Sequence, residues 1–266
     1  MNQSESHLRE LNPENPLSED GRVEVAALAD RQRRANTRLM KAITFVGNQV
    51  EDGLKILPQG VRSQIDNAAR SALENSFRVA RASRSGKLAQ TGRSAQFHKV
   101  AGAITGALGG AGGLPTALAE LPVATTVIFR AVLQVAEEYG EDPEAEETRI
   151  ECLRVFGAGG PGDGDDGIDT SFIGARMSLS GSALQGLLSK IAPRFGFVVS
   201  QKLAAQAVPV LGAVAGAGTN YAFVHYYTEM AHVHFGLRRL MRHYNGDQVL
   251  DAFHGQPPVP QERPAP

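Results

Sequence analysis

Two stretches of this 266-residue chain carry no formal charge: twenty residues from Val100 to Ala119 and twenty-six from Leu203 to Thr228, with histidine taken as neutral. Both are crowded with glycine and alanine. These runs constrain the fold more than any other feature, because they can serve few purposes. They can cradle a phosphate, enter a bilayer, or form helices whose backbones pack closely together.

The phosphate reading fails on residue types. A Walker-type loop needs a lysine directly after its last glycine, and no lysine occurs between Lys99 and Lys190. The dinucleotide fingerprint needs a third glycine three positions after the second, where Gly110-Ala111-Gly112 is followed by Pro115. The helical readings survive. Small residues four apart, at Gly102 and Gly106, Gly109 and Gly113, and Gly212 and Gly216, let backbones approach in membranes and in cores alike. A bilayer span takes about 20 mainly apolar residues, so length permits one in each run. Alanine and glycine favour insertion far less than leucine or phenylalanine, and Pro115, Pro122 and Pro209 break the runs. The expectation is two helix-packing hairpins, around 100–139 and 191–244, that also meet a membrane, with insertion left open.

Between these runs the pattern is helical. Leu39, Ile43, Val46, Val50 and Leu54 mark one face of a helix that stops at Pro58. Val61, Ile65, Ala68, Ala72 and Leu73 begin a second stripe. Asp142-Pro143-Glu144 has the residues of a helix start, with a capping acid and a first-turn proline. Arg238, Arg239 and Arg242 load the end of another helix, which Asn245-Gly246 is expected to stop. No run alternates with period two, so the fold class is all-α. With 29 glycines, no tryptophan and only 6% aromatic residues, its core is expected to rely on close backbone approach. Residues 1–21 read as a disordered tail, 22–255 as one helical domain and 256–266 as a proline-rich tail. The Gly/Asp-rich loop at 158–170 fits neither an EF-hand nor a nonapeptide calcium repeat.

The formal net charge of −1 conceals segregation. Residues 22–99 hold 15 Lys/Arg against 6 Asp/Glu, whereas residues 120–170 hold 3 against 13. Arg31, Arg33, Arg34, Arg38 and Lys41 fall within eleven residues. With no helix-turn-helix, zinc-finger or RNA-binding motif beside them, they suit an anionic lipid surface better than nucleic acid. A single cysteine, Cys152, excludes an internal disulfide, fits a reducing compartment and reads as a buried small hydrophobe. The first twenty residues lack a signal-peptide pattern, so a cytoplasmic location at the inner face of the plasma membrane is expected.

The segments FHKVAGAITGALGGAGGLPTALAELPVATTVIFRAVLQVAEEYGED, ETRIECLRVFGAGG and PRFGFVVSQKLAAQAVPVLGAVAGAGTNYAFVHYYTEMAHVHFGLRRL resemble the EcsC family over roughly residues 35–250. The Glu-Leu-Pro-Val and Val-Pro-Val-Leu-Gly-Ala elements carry most of the likeness. The family is bacterial and takes its name from a gene beside an ABC-transporter pair. The resemblance implies a membrane-linked accessory role and supplies no catalytic residue.

Among apolar neighbours Glu120 and Arg130 stand out, since an unpaired buried charge costs several kcal/mol. Ten residues apart, about 15 Å along one helix, they need other partners: Asn220, His225, Glu229, Arg194 and His98 are the candidates. These residues define either a packing network or a polar pocket for a lipid headgroup or other anion. His225, Glu229 and His232 share one helical face, but the second Glu-x-x-His element of a di-iron bundle is missing, so no metal or other cofactor is expected. No Gly-x-Ser-x-Gly elbow occurs either. The favoured function is a non-enzymatic, membrane-associated accessory protein serving a transporter or secretion process. Its partner would be an anionic membrane surface or a membrane protein complex. A lipid-binding or lipid-processing protein with a pocket at Glu120 and Arg130 is the alternative, a nucleic-acid binder a weaker one, and any small-molecule ligand is unidentified.

Overall fold

The computed structural model describes residues 15–47, 59–82, 113–157, 186–193, 195–196 and 212–256. All regular structure among the described residues is helical, as the patterning implies. The elements are α1 (Glu19–Gly47), α2 (Gln59–Ala82), α3 (Gly113–Glu138), α4 (Glu146–Val155), α5 (Gly212–His243) and α6 (Gly246–His254), with a further helical stretch at 186–193.

α3 and α5 form the centre. α2 packs along α3 and α1 along α5, while α4 and α6 brace the far end. On α3, Ala124, Ile128, Ala131, Val132 and Val135 are buried at the spacing of one helical face. They meet the stripe of α2, where Ile65, Ala69, Ala72 and Leu73 are buried. α3 continues through Pro122, which was expected to break the run. The proline removes one backbone donor inside the helix. One turn later the Thr126 hydroxyl donates to the Pro122 carbonyl at 2.7 Å, and Thr125 does the same to Leu121 at 2.7 Å. At the other end α3 closes on Gly140, whose φ of +81° is open to glycine at little cost.

The few aromatic rings are concentrated rather than dispersed. Phe156 stacks on Tyr227 at 5.0 Å and on Phe129 at 6.1 Å, and meets Phe195 edge-on at 5.4 Å. Among the described residues the middle of the core is filled by these rings, while most of the glycine runs expected to bring backbones together lie outside the described residues. Where α1 crosses α5, Gly236 makes room for the Leu28 side chain: a Cβ there would sit 2.8 Å from Leu28 Cδ2.

α1 and α6 enclose a smaller apolar cluster with the end of α5, built from Leu17, Val25, Leu28, Leu237, Val249 and Phe253 among others. The ordered chain thus begins before residue 22. Leu17 is buried, its amide donates to Gln248 at 2.9 Å, and Asn15 O accepts from Asn245 N at 2.7 Å. One expected helix boundary also moves: Asp142-Pro143-Glu144 forms a turn, with Asp142 Oδ1 accepting from the Glu144 amide at 2.9 Å, and α4 starts at Glu146 without a side-chain cap. α5 ends at His243, just before Asn245-Gly246 as expected, and Asn245 also caps the start of α6, accepting from Gln248 N. Cys152 is buried, as its apolar neighbours suggest.

Candidate functional site

Two polar strips flank the upper half of α5. The first is a buried ionic network that joins α5 to α4 and to the turn before it. Glu151 lies at its centre, with 4% side-chain exposure. It accepts from Arg154 Nη1 at 2.9 Å and His234 Nε2 at 2.8 Å, and Arg238 Nη1 lies 3.1 Å from it as an ion pair. Arg238 also reaches Glu141 at 3.1 Å and Glu147 at 3.0 Å, and Arg242 pairs with Glu141. Burial alone would raise the Glu151 carboxyl. The hydrogen bond from His234 and the charges of Arg238, His234 and Arg154 outweigh that and hold it below its ordinary 4.5. Burial alone would likewise lower Arg238, yet Glu151 and Glu141 keep its guanidinium charge firmly in place. Three carboxylates facing three guanidiniums make this network a clasp, with its charges satisfied internally.

The second strip lies between α1 and α5. Arg31 Nε donates to Glu229 Oε2 at 2.6 Å, and His225 Nδ1 lies 3.8 Å from Glu229 Oε1. Burial raises the Glu229 carboxyl, but the hydrogen bond and charge of Arg31 prevail and it is held low. Farther along, Tyr139 sits between His232, edge-on at 5.8 Å, and Arg239, whose guanidinium carbon is 5.2 Å from the ring centre. Arg239 pairs in turn with Glu24 on α1.

The face carrying His225, Glu229 and His232 is thus turned toward α1 and the end of α3. Among the described residues no group of three His, Cys, Asp or Glu is placed to hold a metal ion. Of the expected pocket, the structure joins only His225 and Glu229, and it brings Arg31 to them. Arg130 is half-buried on α3, the same helix as Glu120, and among the described residues no acid pairs with it. Glu120 and Asn220 are placed by their helices only, and His98 and Arg194 lie outside the described residues, as do Gly102, Gly106 and Gly109. Gly113, Gly212 and Gly216 fall in the first turns of α3 and α5.

The five basic candidates of α1 divide. Arg31 is held by Glu229, and Arg33 and Arg34 both lie against Asp30, the former at 3.8 Å. Arg38 and Lys41 lie farther along α1, toward its end at Gly47. Sequence reasoning did not find Glu141, Glu147, Glu151 or His234. The one available signal was the density of acids at 137–151 set against the arginines at 238–242.

The fold and these strips define an all-α bundle protein whose upper half is pinned by internal ion pairs. Residues 25–240 match the model of the EcsC protein family, and the chain belongs to that family. No curated protein and no solved structure matches it. No helix among the described residues is long and apolar enough to cross a membrane.

Proposed function

We propose that this EcsC-family protein is a non-enzymatic accessory factor that docks on an anionic membrane surface, at the cytoplasmic face, in support of a transporter or secretion complex. The observation that carries the reading is the polarity of α5 along its axis. From Gly212 to Thr228 it holds no formal charge, while from Glu229 to Arg242 it holds Glu229, Arg238, Arg239 and Arg242, all engaged in ion pairs. α3 runs beside it with Glu120 as its one charge between Gly113 and Phe129. The first halves of α3 and α5 are thus poor in charge, which suits the interfacial zone of a bilayer. The basic excess of residues 22–99 adds attraction to anionic lipid.

Flotation of the purified protein with neutral and anionic vesicles tests this. Co-flotation with anionic vesicles is expected, lost at high salt if docking is electrostatic and retained if apolar segments enter the bilayer. A protein that stays at the bottom with both vesicle types would refute the reading.

A further inference from the structure

Glu229 is the one acid of α5, and its place on the helix sets three basic groups in competition for it. His225 lies four positions before it and His232 three after, so an imidazole stands one turn away on either side of the carboxylate. His225 Nδ1 is 3.8 Å from Oε1, too far for a hydrogen bond. The third group comes from another helix: Arg31 of α1 donates from Nε to Oε2 at 2.6 Å. All three favour the charged form of Glu229, which is held below its ordinary value and so stays ionised while imidazoles titrate.

The other charges along this seam already have partners. Among the described residues, α1 brings Glu24, Asp30, Arg33 and Arg34, and the end of α3 brings Tyr139 and Glu138. α5 adds Arg239 and Tyr221, whose ring stacks on His225. Arg239 is taken by Glu24, and Arg33 and Arg34 lie against Asp30. With neutral imidazoles Glu229 therefore goes to Arg31. An imidazole ordinarily takes its proton near about pH 6.5, and below that three cations face one carboxylate. Two of them ride on the same helix as Glu229, and His225 has a side chain only 16% exposed. Arg31 reaches in on a long stem from α1 and is 33% exposed, so it is the cation that can leave for solvent.

We propose that this seam is a pH-dependent partner exchange. At neutral pH Glu229 holds Arg31; in mild acid His225 and His232 take over the carboxylate and Arg31 swings free. α1 itself stays seated through Val25, Leu28 and the Arg239–Glu24 pair. Glu229 gains partners as it loses one, so overall stability stays level through the exchange. Where the protein docks on anionic lipid, the freed guanidinium adds to the attraction. That consequence rests on the docking reading; the exchange does not.

The test follows the Arg31 Nε–H nuclear magnetic resonance signal of the isotope-labelled full chain from about pH 7.5 to about pH 5.5, assigned by its absence in Arg31→Lys. A shift from a hydrogen-bonded position to that of free arginine is expected, with a level denaturant midpoint. In the double variant His225→Gln, His232→Gln, whose folding the amide spectrum checks, the signal is expected to keep its neutral-pH position. A signal that stays put in the native chain, or moves equally in the double variant, overturns the exchange. So does a midpoint that falls with the shift, because Glu229 would then lose one partner without gaining another. Flotation with anionic vesicles reads the consequence: affinity about fivefold higher at the acid end, a gain lost in Arg31→Gln. A gain that persists in Arg31→Gln would remove Arg31 from the lipid contact. Exchange in a chain that never floats would overturn docking and leave the switch standing.

Discussion

Both halves of α5 bury apolar side chains, Phe223 and Val224 in the first and Val233, Phe235 and Leu237 in the second, but only the second adds ion pairs. From Glu229 onward the helix is fixed by ion pairs to α1, α4 and the turn before α4. Before Glu229 it carries no charge, and its described contacts are apolar and aromatic: Phe223, Val224, Tyr226 and Tyr227 are buried. An ionic network ties a helix to particular partners, because each buried charge tolerates few neighbours. An apolar face of small residues specifies less and leaves freedom to meet another apolar phase. The comparison implies that partner choice and register are set mainly at the charged half, and membrane docking, as proposed above, would fall to the charge-free half.

The sharpest way to break this contrast is to remove the centre of the clasp. Glu151→Gln keeps the shape but leaves Arg238 and Arg154 without the carboxylate they share. Breaking a buried pair from one side costs about 3–5 kcal/mol, so the denaturant midpoint is expected to fall steeply with the slope little changed. A loss under about 1 kcal/mol, the range of surface pairs, would show that the network is solvated and the contrast false.

Acid tests the same half with the native chain. Glu151 and Glu229 both have folded pKa values below the ordinary 4.5. A depressed carboxyl contributes stability that is complete above its unfolded pKa and is lost as pH falls through the folded one. Stability is therefore expected to hold from neutrality to about pH 5 and to decline below the ordinary carboxylate pKa. In Glu151→Gln the decline should be shallower, measured as denaturation midpoints across the acid range. An identical slope would place the acid sensitivity elsewhere.

The contrast also explains what was legible in the sequence. Local periodicity predicts α2, where Ile65, Ala72 and Leu73 are buried as their spacing implies. It predicts a common face for His225, Glu229 and His232 as well. It does not reveal the partners, because Arg31 is 198 positions from Glu229 and His234 is 83 from Glu151; only folding brings them together. Pro122 misled because burial of the α3 face, Leu121 and Ala124 beside it included, can hold a helix through the one backbone bond that a proline removes. Asn245-Gly246 marked the end of α5 correctly, but the pattern did not show that Asn245 also caps the next helix across so short a connection. The glycine that permits a close crossing, Gly236 against Leu28, lies in the charged half, away from the conspicuous glycine runs.

A smaller effect of opposite sign probes the aromatic middle. The Tyr227 hydroxyl is buried with no hydrogen-bond partner among the described residues, and burial, with Tyr226 beside it, pushes its pKa well up. A buried hydroxyl without a partner costs about 1–3 kcal/mol. Tyr227→Phe keeps the ring contacts with Phe156, Phe195 and Tyr226 and removes that cost. A gain of about 1 kcal/mol in unfolding free energy is expected. A loss would mean that the hydroxyl is satisfied in solution.

The smallest effect on stability separates the two halves most directly. Asp30 lies beside Arg33 and Arg34 on α1, two to three turns before Arg38 and Lys41. Its pairs are partly exposed, so Asp30→Asn is expected to change stability by less than about 0.5 kcal/mol. Its effect on docking should be larger, because one negative charge is removed and two guanidiniums are released toward anionic lipid. At about 1 kcal/mol per charge near the surface, vesicle affinity is expected to rise about fivefold at low salt, and the gain should vanish at high salt. If stability fell while affinity stayed fixed, Asp30 would belong to the packing of the charged half, and the division between a half that holds and a half that docks would have to be moved toward Gly47.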